Sequence, residues 1–451
     1  MGNKRLAILV GGGPAPGINA VIGAATIGAI NEGFEVHGIC DGFSHLVNAS
    51  FDPGEHARRL RIGDVARIHF TGGSMLGIAR TNLLNGDKLH ESAAATPDEA
   101  KLTTVINNLR YMGVTHLLTI GGDDTALSAR FVSEWSAGKI CMVHVPKTID
   151  NDLPLPGDIP TFGYATARNL GARLCANLME DSRTTGRWYL VVTMGRNAGF
   201  LALGIGKAAG VTLTLIPEEF PEQTTVSDIV DTIEGSIIKR RLVGRRDGVA
   251  VVAEGLAYKL GDVAELSRIL GKNIPTDAAG HPRLSEVPLA DILKYELTKR
   301  FAERGDKITV VAETMGYELR SAAPTPFDMA YCRDLGHGAI RLIVEGVANE
   351  RHGVMVTLQD GNLVPMFFDD MMDPATNRTR VRKVDVSSYS YLVARAYMIR
   401  LEKGDFEDVT QLQRLAAEAK MNAEQFRDRY SHVATLGRYT AMAAMATSDS
   451  A

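Results

Sequence analysis

At 451 residues, 45% of them hydrophobic and 23% charged, the chain has the length for two domains with substantial cores and the composition of a soluble globular protein. Its 49 basic and 53 acidic residues leave a net charge of −4. That excludes a global attraction to nucleic acid or to an anionic membrane, so an anionic substrate must be held by local arginines and lysines. Cys40, Cys141, Cys175 and Cys332 show neither zinc spacing nor a disulfide pattern. Residues 1–5 lead straight into a strand-like run, with no visible signal peptide. Apolar stretches such as 18–30 are too short and too glycine-containing to span a bilayer, and a reducing cytoplasm is the expected compartment.

In chain order, the apolar run 6–10 is followed by Gly11-Gly12-Gly13-Pro14-Ala15-Pro16-Gly17 and a helical pattern over 17–32. Strand, glycine turn and helix together offer free N–H groups and a positive helix end to an anion. A strand is expected at 34–39. Thr96-Pro97-Asp98-Glu99 reads as a capping box with proline at the first helical position, opening a helix to about Tyr111. The strand-like run 116–120 ends in Gly121-Gly122-Asp123-Asp124-Thr125, where two glycines let the backbone approach a phosphate and the carboxylates could hold magnesium. The run 141–145 leads into Pro146-Lys147-Thr148-Ile149-Asp150-Asn151-Asp152. Two carboxylates this close are costly unless a cation or substrate sits between them. If the segment stays extended, Thr148, Asp150 and Asp152 project to one side, an arrangement suited to proton abstraction from a hydroxyl and to a hard cation.

Further along, a helix is expected over 164–182, a strand over 189–193, a helix from about Asn197, and strands over 211–216, 248–253 and 307–312. Residues 353–370, with Asp360-Gly361-Asn362 in the middle, read as a hairpin. The tail from Tyr389 reads as helical, with its last few residues disordered. Wholly apolar strands alternating with helices argue for a doubly wound α/β fold. Such sheets bind ligands at the carboxyl ends of their strands, where all three motifs fall.

Taken together, and with Met194-Gly195-Arg196, these residues resemble the phosphofructokinase family in order from Gly11 to about Gly338; the last hundred or so residues are weakly covered. The resemblance implies two doubly wound (Rossmann-like) three-layer α/β domains with the active site in the cleft between them. Residues 1–163 plus about 319–388 would bind the phosphoryl donor, and about 164–318 plus the C-terminal helices 389–451 the sugar phosphate. The implied reaction is Mg2+-dependent transfer of a phosphoryl group to the 1-hydroxyl of fructose 6-phosphate, in a cytoplasmic homodimer or homotetramer. By position, Asp150 is similar to the family's proton acceptor, flanked by Ile149 at the substrate and by Thr148 and Asp152 contacting substrate or magnesium, and Asp123 to its magnesium ligand. Gly12 and Arg80 match donor-binding positions. Met194, Gly195 and Arg196 match the lining of the sugar site, with Arg196 also facing the transferred group. Glu254 matches a glutamate that binds sugar hydroxyls. Tyr317, Glu318, Leu319 and Arg320 match the segment that binds the 6-phosphate, and Arg187 an arginine that reaches the neighbouring subunit's sugar phosphate.

Two positions depart from the ATP-using pattern and resemble the pyrophosphate-dependent branch: Asp124 and Lys147 stand where that pattern has glycine. A carboxylate at 124 would oppose ATP's α-phosphate, since unit charges ~4 Å apart repel by roughly 4 kcal/mol at an effective dielectric near 20. Lys147 would supply a cation to the smaller donor and to departing phosphate. Pro14 replaces an aspartate, and Val311 an arginine, common in ATP-using or bacterial relatives. The basic run 378–383 reads as a solvated face, or else as contacts to sugar phosphate across a subunit interface. The alternatives are an ATP-dependent enzyme, a kinase of another sugar phosphate such as sedoheptulose 7-phosphate, and a non-catalytic sugar-phosphate-sensing subunit of the same fold.

Overall fold

The computed structural model describes residues 4–85, 96–260, 263–271 and 287–437. The expected disorder of the last few residues falls outside them. The chain divides into two compact units, 1–167 with 317–382 and 168–316 with 383–451. Tyr317 and Glu318 therefore belong to the first unit.

The first unit carries β1 (Arg5–Val10), β2 (Glu35–Ile39), β3 (Ala57–Arg59), β4 (His116–Gly121), β5 (Cys141–Thr148) and β6 (Phe162–Gly163). The second carries β7 (Trp188–Thr193), β8 (Leu213–Leu215), β9 (Gly248–Ala253) and β10 (Val310–Met315). The chain then returns to the first with β11 (Val354–Gln359), β12 (Asn362–Phe367), β13 (Met372–Asp373) and β14 (Arg378–Thr379).

The first unit's sheet runs β12-β11-β5-β4-β1-β2-β3, with β6 continuing beside β5. Its five central strands are parallel; β3 and β12 pair antiparallel at the edges. Parallel strands buried on both faces need continuous apolar runs, and β1 supplies one: Leu6 to Val10 are all fully buried. Ala7 and Leu9 face a core shared with helices Glu99–Tyr111 and Asp123–Trp135. Helices Ile18–Asn31 and Pro326–Val344 pack against each other on the opposite side, giving three layers. Since β2 follows β1 on one side and β4 on the other, the winding reverses between β1 and β4, the crevice where doubly wound sheets take ligands.

The second unit's sheet, β10-β7-β9-β8, is parallel throughout. Helices Val226–Arg241 and Leu289–Glu303 share one apolar core with it. The C-terminal helices Val409–Glu418 and Ala423–Tyr430 build a further core on Ile238. Arg300 fixes this end by pairing with Asp231 at 2.6 Å and Glu234 at 3.2 Å.

Three local expectations are corrected. Helix Glu99–Tyr111 is capped by Asp98, which accepts from Lys101 N at 3.1 Å, so Thr96 and Pro97 stand outside it. The last strand of the second unit begins at Val310, three residues later than the polar start of 307–312 suggested. The third, the extended geometry after Thr148, bears on the site. The hairpin at 360–361 does form, with Asp360 at φ 52° and Gly361 at φ 79°, as a two-residue turn requires. Among the described residues no helix is long and apolar enough to cross a membrane.

Candidate active site

At the reversal point, Gly11 N donates to Ile120 O at 2.9 Å and Gly12 N to Ala79 O at 2.8 Å. The glycine turn after β1 is thus laced to the end of β4 and to the residue before the exposed Arg80. Gly12 holds φ 87°, a conformation that L side chains rarely adopt. After β4, Gly122 is the N-cap of helix Asp123–Trp135, and Asp123 and Asp124 occupy its first turn. They are helix-opening residues at its positive end, not the cap itself. Lys147, only 4% exposed, donates its Nζ to Gly13 O, and Nζ lies 3.2 Å from where a β-carbon on Gly12 would stand. From the 317–320 turn, Arg320 Nη1 comes within 2.7 Å of the same point on Gly13, and its guanidinium lies 4.6 Å from the centroid of the exposed Tyr317 ring. Leu319 is buried beneath them.

His144 is a contributor the sequence did not reveal. Fully buried in β5, it has its pKa pushed down to about 3 by burial. The neutral ring accepts from Thr119 Oγ1 at 2.8 Å and donates Nε2–H to Gly121 O at 3.1 Å, fixing the carbonyl just before Gly122.

β5 ends at Thr148, and the extended alternation ends there too. Asp150 N turns back to Thr148 Oγ1 at 3.0 Å, and Asn151 adopts φ 59°. Asp150 and Asp152 consequently do not share a face by strand alternation, as the extended reading required. Ile149 is buried as an anchor between them and the strand. The loop closes on itself through Thr161, whose Oγ1 donates to Thr148 O at 2.7 Å and whose N donates to Asn151 Oδ1 at 2.9 Å. Buried Asp328 braces the exit, accepting from Gly163 N at 2.9 Å and Thr166 N at 2.8 Å. Arg382, in the run expected to be a solvated face, is turned into this loop instead: its backbone N donates to Asp152 O at 2.7 Å.

In the second unit the loops after β7 and β9 meet. Glu254 Oε1 accepts from Gly195 N at 3.1 Å and Arg196 N at 2.9 Å, and Met194 N donates to Met315 O at 3.1 Å. Arg196 is held at φ 49°. Burial raises the pKa of Glu218, which braces the far side of this loop by accepting from Gly199 N and Val384 N, both at 2.9 Å. Arg187 is not brought here. It precedes β7, so the six-residue strand separates it from Met194 by roughly 20 Å at 3.3 Å per residue.

Among the described residues no group of three or more histidine, cysteine, aspartate or glutamate side chains is placed to hold a metal by itself. Magnesium does not need such a cage; it is typically held by one or two carboxylates plus substrate phosphates and waters. The hard oxygen donors of Asp123, at the opening of its helix beside the glycine turn, fit that mode.

A doubly wound α/β protein with glycine turns, carboxylates and cations at its strand ends has the components of a phosphoryl-transfer enzyme. The chain belongs to the phosphofructokinase family, whose family model, described as Phosphofructokinase, matches residues 5–343. It is 52% identical over 433 residues to a pyrophosphate–fructose 6-phosphate 1-phosphotransferase of Thermotoga maritima, covering 96% of this chain and 99% of that one. Identity to the protein of the same name from Naegleria fowleri is 46%, over 95% of each chain. A solved structure described as a pyrophosphate-dependent phosphofructokinase from Nitrosospira multiformis superposes with a TM-score of 0.62 at 16% identity, over 89% of this chain and 93% of that one, a likeness of fold.

Proposed function

We infer that this protein transfers a phosphoryl group from pyrophosphate to the 1-hydroxyl of fructose 6-phosphate, reversibly, giving fructose 1,6-bisphosphate and phosphate. The observation that carries the reading is the near-full-length identity of about half to relatives of that name, and the placement of Lys147 supports the donor. Its buried ammonium lies on the Gly12–Gly13 turn, where it can meet a compact anion, while Asp124 puts a carboxylate at the opening of the neighbouring helix.

In this reading the Asp150 carboxylate accepts the proton of the sugar's 1-hydroxyl as that oxygen attacks the terminal phosphorus. The bridging P–O bond breaks, and the departing phosphate keeps its electron pair beside Lys147. Mg2+, held at Asp123 when bound, would neutralise donor phosphate charge. Gly12 and Arg80 contact the donor. Arg196 faces the group in transit, and Met194, Gly195 and Glu254 shape the sugar site. The 317–320 turn carries the 6-phosphate, with Tyr317 and Arg320 as its donors, Glu318 between them and Leu319 buried as the anchor. Arg187 serves a neighbouring copy in a homodimer or homotetramer. The four thiols are unpaired, as suits a cytoplasmic protein.

The test is a donor panel with fructose 6-phosphate and Mg2+: bisphosphate should form from pyrophosphate and not from ATP. Formation from ATP alone refutes the donor. Asp150→Asn, nearly isosteric, should lower turnover by roughly a hundredfold or more, and near-normal turnover removes Asp150 from the base role.

A further inference from the structure

We propose that Arg382 is a positioning residue for catalysis: it locks Asn151 in its left-handed conformation and thereby sets where the flanking Asp150 and Asp152 stand. The proposal rests on the reading of Asp150 as proton acceptor.

One arginine directs three of its five guanidinium N–H groups to one loop. Nε donates to Asn151 O at 3.2 Å, Nη1 to Ile159 O at 3.1 Å, and Nη2 to Asn151 Oδ1. Its backbone N adds the bond to Asp152 O at 2.7 Å. The planar guanidinium fork can satisfy three diverging acceptors at once, which a lysine ammonium on the same stem cannot reproduce. Desolvation by burial lowers the pKa of Arg382, and the Asp152 carboxylate works against that, favouring the cation. A partly buried charge with three of its donors on one loop is an expensive way to brace a surface turn.

Asn151 is where that bracing acts. Asparagine enters the left-handed region more readily than most residues with a side chain, and its surroundings decide whether it stays there. Both carbonyl oxygens of Asn151, main-chain and side-chain, accept from Arg382, and Oδ1 also accepts from Thr161 N at 2.9 Å. Without the guanidinium, Asn151 keeps the bond from Thr161 N but loses both from Arg382, and the chain between Asp150 and Asp152 can relax toward extended geometry, rotating both carboxylates.

The anchor is itself tied to the other acidic motif. The β13–β14 hairpin that delivers Arg382 is held through Asn377 Oδ1, which accepts from Arg130 Nη1 at 2.8 Å. Arg130 lies on helix Asp123–Trp135 and also pairs with Asp369 at 3.3 Å. The segment thus fixes the 150–152 loop relative to the helix whose first turn carries Asp123 and Asp124.

The experiment uses the full-length protein and four variants: Arg382→Ala, Arg382→Lys, Asn151→Gly and Arg382→Ala combined with Asn151→Gly, with Asp150→Asn in parallel. Arg382→Ala should lower kcat with pyrophosphate by about a hundredfold, the scale of an ångström's misplacement of a reacting group, while both KM values stay within about threefold. Arg382→Lys should remain closer to the alanine variant than to the parent, and low-millimolar guanidinium should restore part of the alanine variant's kcat. The double variant should be no slower than Arg382→Ala alone, because both changes act through one residue. The proposal is overturned if Arg382→Ala keeps kcat within about twofold, if the loss lies in KM, or if the two losses multiply. Should Arg382→Ala fail to fold, Arg382→Lys decides: a parental kcat overturns the proposal. Asp150→Asn separates the two readings. If it is inactive while the arginine variants are normal, only the role of Arg382 falls; if it is active, the base assignment falls.

Discussion

Replacing Gly12 by alanine tests whether the turn after β1 is the donor's seat, and the structure supplies both the expected size and an internal control. Gly12 sits at φ 87°, and an added β-carbon would lie 3.2 Å from Lys147 Nζ. Gly33, in the turn before β2, has nearly the same backbone, φ 80°, yet its β-carbon would meet nothing within 4 Å. Left-handed backbone costs an L-residue about 1–2 kcal/mol, so Gly33→Ala should lose about that much stability in thermal or urea unfolding, and Gly12→Ala at least as much. Only Gly12→Ala also presses on the ammonium, which must retreat by a few tenths of an ångström and strain its bond to Gly13 O. Perturbing a charged hydrogen bond in a buried site is worth about 1–3 kcal/mol, which corresponds to roughly 5- to 150-fold in kcat/KM for pyrophosphate. The assay is a pyrophosphate titration at saturating fructose 6-phosphate, repeated in reverse with inorganic phosphate. If Gly12→Ala matches Gly33→Ala in both directions, the turn is not where the donor binds.

Asp124→Gly should raise ATP-supported kcat/KM by about tenfold or more, part of the roughly 4 kcal/mol that a close carboxylate–phosphate repulsion represents; unchanged ATP use would make charge exclusion at 124 the wrong account. Glu254→Ala strips the acceptor from two backbone N–H groups, of Gly195 and Arg196, and should raise KM for fructose 6-phosphate about tenfold. Glu254→Gln, which retains one acceptor oxygen, should do less, and equal KM values in parent and alanine variant would show that the loop does not need this brace. Acid stability tests His144. Its folded pKa, about 3, lies below the unfolded value near 6.5, so the unfolded chain binds the proton first and stability falls as pH drops from about 6.5 toward 3. Between pH 7 and 5 the parent should lose about 2 kcal/mol more than His144→Gln; parallel stability curves would mean that the ring is not buried neutral.

The fold was legible because its signals are local. The apolar runs at β1, β4, β5, β7 and β9 need no distant partner to be recognised, and the positive φ of Asp360 and Gly361 is a property of that pair. Misplacements came where side chains compete for one role. Thr96 and Asp98 both suit a cap, and the winner is the one whose carboxylate reaches Lys101 N. The sequence places the start of β10 too early because Lys307-Ile308-Thr309 carries residue types that suit a strand start, whereas pairing with β7 begins only at Val310↔Trp188.

The site divides along the same line. Asp123, Asp124, Lys147 and Asp150 could be named because each stands within a few residues of a strand end, where polar side chains after an apolar run have no reason in packing. Their geometry was another matter. The extended reading of 148–152 assumed that the backbone continues as the strand left it, but Asn151 is held left-handed by an arginine 231 residues away. Nothing in the order Arg378-Thr379-Arg380-Val381-Arg382-Lys383 marks the fifth member as different from its neighbours: Arg380 and Lys383 are exposed, and Arg382 is not. His144 was hidden in a similar way, since in an apolar strand it reads as one more buried residue until Thr119 and Gly121 are seen on either side of its ring. A residue that supplies charge at a motif leaves a local trace, whereas one that sets the motif's backbone from a distant segment leaves none. The sequence therefore points to the carboxylate proposed to take the proton, while the residue proposed to aim it emerges only when the β13–β14 hairpin is folded back against the loop.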